Sequence, residues 1–277
     1  MRFSLFVIIL FINCSEALPQ REYRAYPNTK DFGAAELLVT YSLSYQQDSL
    51  NPYDVRQEDM LLFIGDNTSK FLSLRRFESI ERVKNLTSIA EEQQMFSQGI
   101  QTPPTRFRYQ IFKNYPEGKI TKINSIMGDP FRYQENLNGF DWQLSSGASE
   151  MHGFKVQKAT TEYGGRNWVA WFTPEIPHND GPYKFNGLPG LILEIRDTRD
   201  HYVFELVSVE IPGEPMLIEF PERNYIKTSK KDFFRARQSF HDDIISRASE
   251  AGLSVESQQT AAENLRRRNN PLELTAE

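Results

Sequence analysis

The chain has 277 residues, 39% of them apolar and 25% charged, enough to bury a sizeable core as one large β domain or two smaller ones and too apolar to remain disordered. Lys and Arg number 32 against 37 Asp and Glu, and the net charge of −5 argues against nucleic acid as a partner, which would leave a basic footprint. The single cysteine is Cys14, so the body that follows it has neither disulfides nor thiolate-bound metal to stabilise it.

The first residues read as a secretory signal: Arg2, an apolar run from Phe3 to Ile12, then the small residues Ser15 and Ala17. The run is too short to span a bilayer, and cleavage is expected after Ala17. The alternative is lipidation at Cys14, against which stands Asn13, where a small residue is expected. Residues 1–17 are thus read as a signal peptide and 18–253 as a single β-rich domain. Residues 254–277, polar and carrying Arg266-Arg267-Arg268, are read as a mobile C-terminal tail. An exported protein of the periplasm or outer-membrane periphery is the expected setting.

From Glu36 to Gln46 the pattern alternates, with Leu37, Val39, Tyr41, Leu43 and Tyr45 on one face and Leu38 as the exception, as a half-buried strand requires. Met60–Ile64 and Lys70–Ser73 follow as strands. From Leu74 to about Gln98 the period becomes helical: Phe77, Ile80, Val83 and Leu86 recur, with a break expected near Thr87 and a stop at Gly99 and Pro103-Pro104. The space between this helix and the sheet is where an apolar cleft, if the fold has one, would lie.

Phe107, Tyr109 and Ile111 alternate again, and Lys119–Ile126 pairs back after Asn114–Gly118. Phe131–Glu135, then Phe140, Trp142 and Leu144, continue the pattern. His152–Thr161 and Arg166–Phe172 flank Gly164-Gly165, a strong hairpin signal. Pro189 and Gly190 suit a type II turn over Leu188–Leu191, feeding a buried strand Leu191–Ile195, and His201–Ile211 returns after Asp197–Asp200. Ser229 and Asp232 cap a second helix with Phe233, Ala236, Phe240, Ile244 and Ala248 on one face and Gly252 at its end. With aromatics at 13%, the expectation is a mainly β, α+β fold: a curled antiparallel sheet or half-barrel with two amphipathic helices packed on it.

The run KATTEYGGRNWVAWFTPEIPHNDGPYKFNGLPGLILEI, Lys158 to Ile195, resembles the GLPGLI family, named for the hexapeptide Gly187, Leu188, Pro189, Gly190, Leu191 and Ile192. RRNNPLEL, Arg267 to Leu274, resembles that family's ending and IGDNTSKF, Ile64 to Phe71, its first block. One departure is Val156, in a strand where the family often has cysteine. The resemblance implies a secreted envelope protein of Gram-negative bacteria and supplies no activity. In architecture the expected sheet and helices are similar to the periplasmic lipoprotein carriers, and fold does not imply function.

Trp168 and Trp171 stand three apart on a strand and so face opposite ways; one belongs in the core, and the other, with Phe172, Tyr183 and Phe185, could line a groove. Arg166 and Lys184 pair structurally with Glu175 or Asp180, or else hold an anionic head group. The segment rich in Pro and Gly, Pro174 to Gly190, reads as a flap over the sheet. His152, His178, His201 and His241 lack metal-ligand spacing, so no metal and no cofactor are expected. None of G-x-S-x-G, H-E-x-x-H, G-x-G-x-x-G or a P-loop occurs. The expected function is a non-enzymatic scaffold or binding module, with lipid or another apolar molecule as its ligand. Alternatives are an envelope-polymer hydrolase or lyase using Glu175, Asp180 or Glu194, and an accessory partner of an outer-membrane transporter acting through the basic tail.

Overall fold

The computed structural model describes residues 26–97, 105–243, 246, 250, 252 and 254–276. The signal and lipidation readings at residues 1–17, the stop at Gly99 and Pro103-Pro104, and Ile244 and Ala248 lie outside the described residues.

The described chain opens with β1 (Thr29–Ala34) and then lays down β2 (Leu37–Gln46), β3 (Val55–Ile64), β4 (Ser69–Ser73), β5 (Gln110–Lys113), β6 (Lys119–Ile126) and β7 (Asp129–Asn136). Strands β2 to β7 form one antiparallel meander, with helices α1 (Leu74–Lys84) and α2 (Ile89–Ser97) between β4 and β5. A second meander, β8 (Gln143–Met151), β9 (Phe154–Tyr163), β10 (Arg166–Thr173), β11 (Leu191–Asp197) and β12 (Tyr202–Glu210), runs back so that β12 pairs with β2. The result is a twelve-stranded sheet that curls without closing into a barrel. Its pairs are antiparallel except at one edge, where β14 (Ile226–Lys227) joins β7 in parallel. Strand β13 (Leu217–Pro221) pairs with β1 in a small separate sheet. This is the mainly β, α+β architecture expected from the strand pattern.

The local rules explain most of it. In β2 the alternating Val39, Tyr41, Leu43 and Tyr45 are buried in the main core, on what we call the inner face. Leu38 breaks the alternation because the outer face is also covered there: it packs with Leu61, Phe63, Leu72 and Ile218. Gly164 and Gly165, at φ 60° and 75°, make the two-residue turn that sets Tyr163 opposite Arg166. Phe107 and Tyr109 are buried as expected but precede β5, and Phe140 and Trp142 likewise precede β8. Strand β1 is short and largely exposed and β13 is only five residues long, so neither gives a sustained alternation, which is why they escape a reading by period.

Helix α1 starts at Ser73, whose hydroxyl accepts from the Arg76 N–H, and the expected break separates it from α2. Its Ile80 and Phe77 seal the outer face, Phe77 meeting Phe63 at 5.4 Å between centroids. Apolar side chains of helix and sheet pack together there. The second helix, α3 (Lys230–Asp242), capped by Ser229 as predicted, packs on the inner face through Phe233, whose ring lies 5.7 Å from Phe131 and 5.4 Å from Tyr133. The two amphipathic helices therefore take opposite faces of the sheet.

Two local expectations change. The turn at the hexapeptide is tighter than type II: the Gly190 N–H donates to the Leu188 carbonyl at 2.8 Å, closing a γ-turn on Pro189, and the Leu191 N–H goes instead to the Ile176 carbonyl. A Cβ on Gly190 would lie 2.0 Å from the Thr173 carbonyl oxygen, so the glycine serves close backbone approach. The C-terminal segment is no free tail. It holds helix α4 (Val255–Arg266) and then a strap in which Asn270, Leu272 and Glu273 are buried.

Candidate functional site

The flap of residues 174–190 crosses the inner face and drives Tyr183, Lys184 and Phe185 into the core. The Phe185 ring sits 4.8 Å from Trp168 and 5.3 Å from Phe140, and the Trp142 indole N–H donates to the Asn186 carbonyl at 2.8 Å. Trp168 and Phe185 are sealed here and reach no groove. Trp171 points the other way, as its spacing requires, and lies half-buried between Lys158 at 5.8 Å and Arg196 at 5.5 Å.

Neither Arg166 nor Lys184 pairs with Glu175 or Asp180. Lys184 bonds Glu135 and, at 2.8 Å, Glu273, and donates to Tyr163 at 2.9 Å. Lys230 from α3 reaches the same carboxylates, at 3.0 Å from Glu135 and 2.7 Å from Glu273. Lys122 from β6 lies 3.7 Å from Glu273 and donates to the Tyr183 hydroxyl at 2.7 Å. Three ammoniums thus share two carboxylates, one proton more than charge balance needs. Burial opposes ionisation of Glu273, yet the Lys184, Lys122 and Lys230 ammoniums hold its carboxyl well below the usual range. Lys122, the farthest of the three from Glu273, gives way: burial and then Lys184 push its ammonium down to about 7.

Arg166 spends its planar fork on the strap. It donates to Asp197 at 2.8 Å, to the Leu272 carbonyl at 3.0 Å, to Asn270 at 2.5 Å and to the Pro271 carbonyl at 2.7 Å. Asn270 in turn donates to the Gln46 carbonyl at 2.8 Å, and the Leu274 N–H to the Gly164 carbonyl at 2.7 Å. Both cations singled out from the sequence are therefore receptors for the last residues of the chain. The carboxylates considered for hydrolysis stand apart, each with its own partner: Glu175 accepts from the Lys155 N–H, Asp180 pairs with Lys113, and Glu194 with Arg196. Among the described residues no three His, Cys, Asp or Glu converge on a point that could hold a metal ion.

The strap forms one wall of an open cleft of about 1810 Å³ on the inner face, bounded also by α3, α4 and residues 105–109. Its aromatic floor runs from Tyr202 through Tyr45, Phe107 and Tyr109 to Tyr183, with successive centroids 6.3, 5.0, 5.9 and 5.5 Å apart. Ten Lys and Arg line it against three Asp and Glu, in a chain whose net charge is −5. Lys122, Tyr183 and Glu273 belong to both the cleft and the buried ionic cluster. Of the residues named from the sequence as groove lining, Tyr183 lines it, whereas Arg166, Trp168, Trp171, Phe172, Lys184 and Phe185 do not. What could have pointed there is the alternation of Arg106 and Arg108 with Phe107 and Tyr109.

Fold and cleft define a mainly β protein with an open sheet and a cationic, aromatic-floored cleft. Residues 133–194 match a family described as a protein of unknown function (Porph_ging), which makes the chain similar to an uncharacterised bacterial family. The matched stretch includes Arg166, Lys184 and the hexapeptide Gly187 to Ile192. No curated protein matches the sequence. Among solved structures, PNGF-II in a P21 and in a C2 space group is similar at 14% and 13% identity, over 70% and 69% of this chain, with TM-scores of 0.46 and 0.44. This chain spans 31% and 30% of the length of those chains.

Proposed function

We propose that the chain is an exported, non-enzymatic binding module of the Gram-negative envelope, of the GLPGLI type, whose cleft holds an amphiphilic ligand. The observation that carries this reading is the cleft itself: aromatic rings along its floor suit an apolar body, and the excess of cations around it suits an anionic group. Export is supported by the signal-like stretch from Arg2 to Ala17, and the family type by the hexapeptide at Gly187 to Ile192. The aromatics extend the apolar-ligand expectation, and the arginines alter it, because a purely apolar guest would leave them idle. The test is to incubate the purified chain with envelope lipid extract, re-isolate it and analyse the bound fraction by mass spectrometry. An amphiphile retained in stoichiometric amount is expected. A bare protein, with unchanged tyrosine fluorescence on titration of the extract, sinks the reading.

A further inference from the structure

The two charged regions of the cleft differ in how their charges are met. At the inner end, the lysines have Glu135 and Glu273. At the other, Arg106, Arg108 and Arg268 have no carboxylate partner among the described residues, while Arg56 has Asp54 at 2.9 Å. Glu58, the lining carboxylate that acts on Tyr45 beside them, is already taken by the hydroxyls of Ser73 and Thr105. The crowding is felt: the surrounding protein, then Arg268 and also Arg56 hold the Arg106 guanidinium below its ordinary value. Guanidiniums kept together without counter-charge repel each other unless an anion bridges them.

A second observation is independent of charge. The Tyr109 hydroxyl and the Gln47 side-chain oxygen, in cleft-wall residues only 7% and 6% exposed, are buried and have no hydrogen-bond partner. Buried polar atoms are paired in the great majority of cases, so these two show a wall whose polar groups are not fully met. A lone carboxylate is satisfied by a single guanidinium fork. Several forks together suit a tetrahedral group with more oxygens and more charge.

Resting on the reading of the cleft as a ligand site, we infer that its arginine end binds a phosphate group, held by the guanidiniums of Arg106 and Arg268, with Arg56 beside them. The phosphate belongs to a lipid head group or to a free phosphate compound, and calorimetry on the full chain separates the two. The probes are dihexanoyl phosphatidic acid, dihexanoyl phosphatidylcholine and inorganic pyrophosphate. Phosphatidic acid is expected to bind about tenfold or more tightly than phosphatidylcholine, and pyrophosphate to compete with it. R106Q/R268Q should weaken phosphatidic acid about tenfold without moving the melting temperature, because both residues are exposed. Pyrophosphate binding without either lipid would keep the phosphate site, assign it to a free phosphate compound and overturn the amphiphile reading. Equal binding of the two lipids, indifferent to R106Q/R268Q, would overturn the phosphate inference and leave the cleft reading standing. Binding of none of the three would overturn both.

Discussion

Glu273→Gln removes one carboxylate from the place where three lysines meet. Glu273 is 3% exposed and Lys184 is fully buried, so water cannot replace the lost charge. The substitution leaves Lys184, Lys230 and Lys122 with Glu135 alone, and the glutamine, though similar in shape, brings no charge. Breaking a buried pair by removing one partner costs about 3–5 kcal/mol. In a chain of this size each kcal/mol lowers the melting temperature by about 2–4 °C, so a fall on the order of 10 °C is expected at pH 7. Calorimetry or circular dichroism on heating reads it, with the exposed Glu256→Gln on α4 as a control that should not move. The acid limb gives the sign. The folded-state pKa of Glu273 lies below its unfolded value, so the unfolded chain binds the proton first as pH falls. Its contribution is therefore complete above about pH 4.5 and lost as pH falls through the folded value, so that E273Q approaches wild type in acid. A variant melting within about 2 °C of wild type at pH 7 would refute the claim that this carboxylate anchors the strap.

Gly190→Ala should destabilise by about 4 kcal/mol or more, or yield insoluble protein, since its Cβ would meet the Thr173 carbonyl oxygen at 2.0 Å and φ is 144°. Gly33→Ala, at φ 92° with open space around it, should cost only about 1 kcal/mol in the same urea titration. Lys70 is 5% exposed, and burial followed by Lys84 pushes its ammonium down to about 8. The unfolded chain thus binds the extra proton between about pH 8 and 10.5, and stability should rise with pH there; at pH 7, Lys70→Met should gain up to about 3 kcal/mol, a gain that shrinks by pH 9. Tyr41→Phe breaks a buried hydrogen bond of 2.7 Å to the Ile192 carbonyl and should cost about 1–3 kcal/mol by urea denaturation.

What the sequence disclosed is what neighbours in the chain decide. The β2 alternation, the Gly164-Gly165 turn, the helix break near Thr87 and the Ser229 cap are contests within a few residues, and each was legible. Arg166 and Lys184 were noticed as unusual, yet their partners Asn270 and Glu273 lie 104 and 89 residues away, where no periodicity reaches. The strap was misread for a related reason. Its Asn270 and Glu273 are polar, polar composition reads as solvent-exposed tail, and only the cations folded beneath them make burial favourable. The resemblance of RRNNPLEL to a family's ending was the one sequence signal that this stretch has a fixed task. The cleft was hidden because its walls come from β2, β12, residues 105–109, α3 and the strap, each unremarkable alone.

Charge compensation separates framework from site. Lys184, Lys230 and Arg166 are buried and engaged by carboxylates, carbonyls and tyrosine hydroxyls, and they hold strap, flap and sheet together. A buried cation so engaged has nothing left to offer a ligand without breaking the fold. Arg106 and Arg268 are exposed, crowded together and without carboxylate partners among the described residues, and both line the cleft. Their repulsion is tolerated because water screens it, and an incoming anion would relieve it at no structural cost. The cluster and the cleft meet at Glu273 and Lys122, which places the anchor of the strap in the cleft wall. Loosening that anchor should therefore widen the cleft before it unfolds the sheet, so E273Q should weaken ligand binding even at temperatures well below its own melting point.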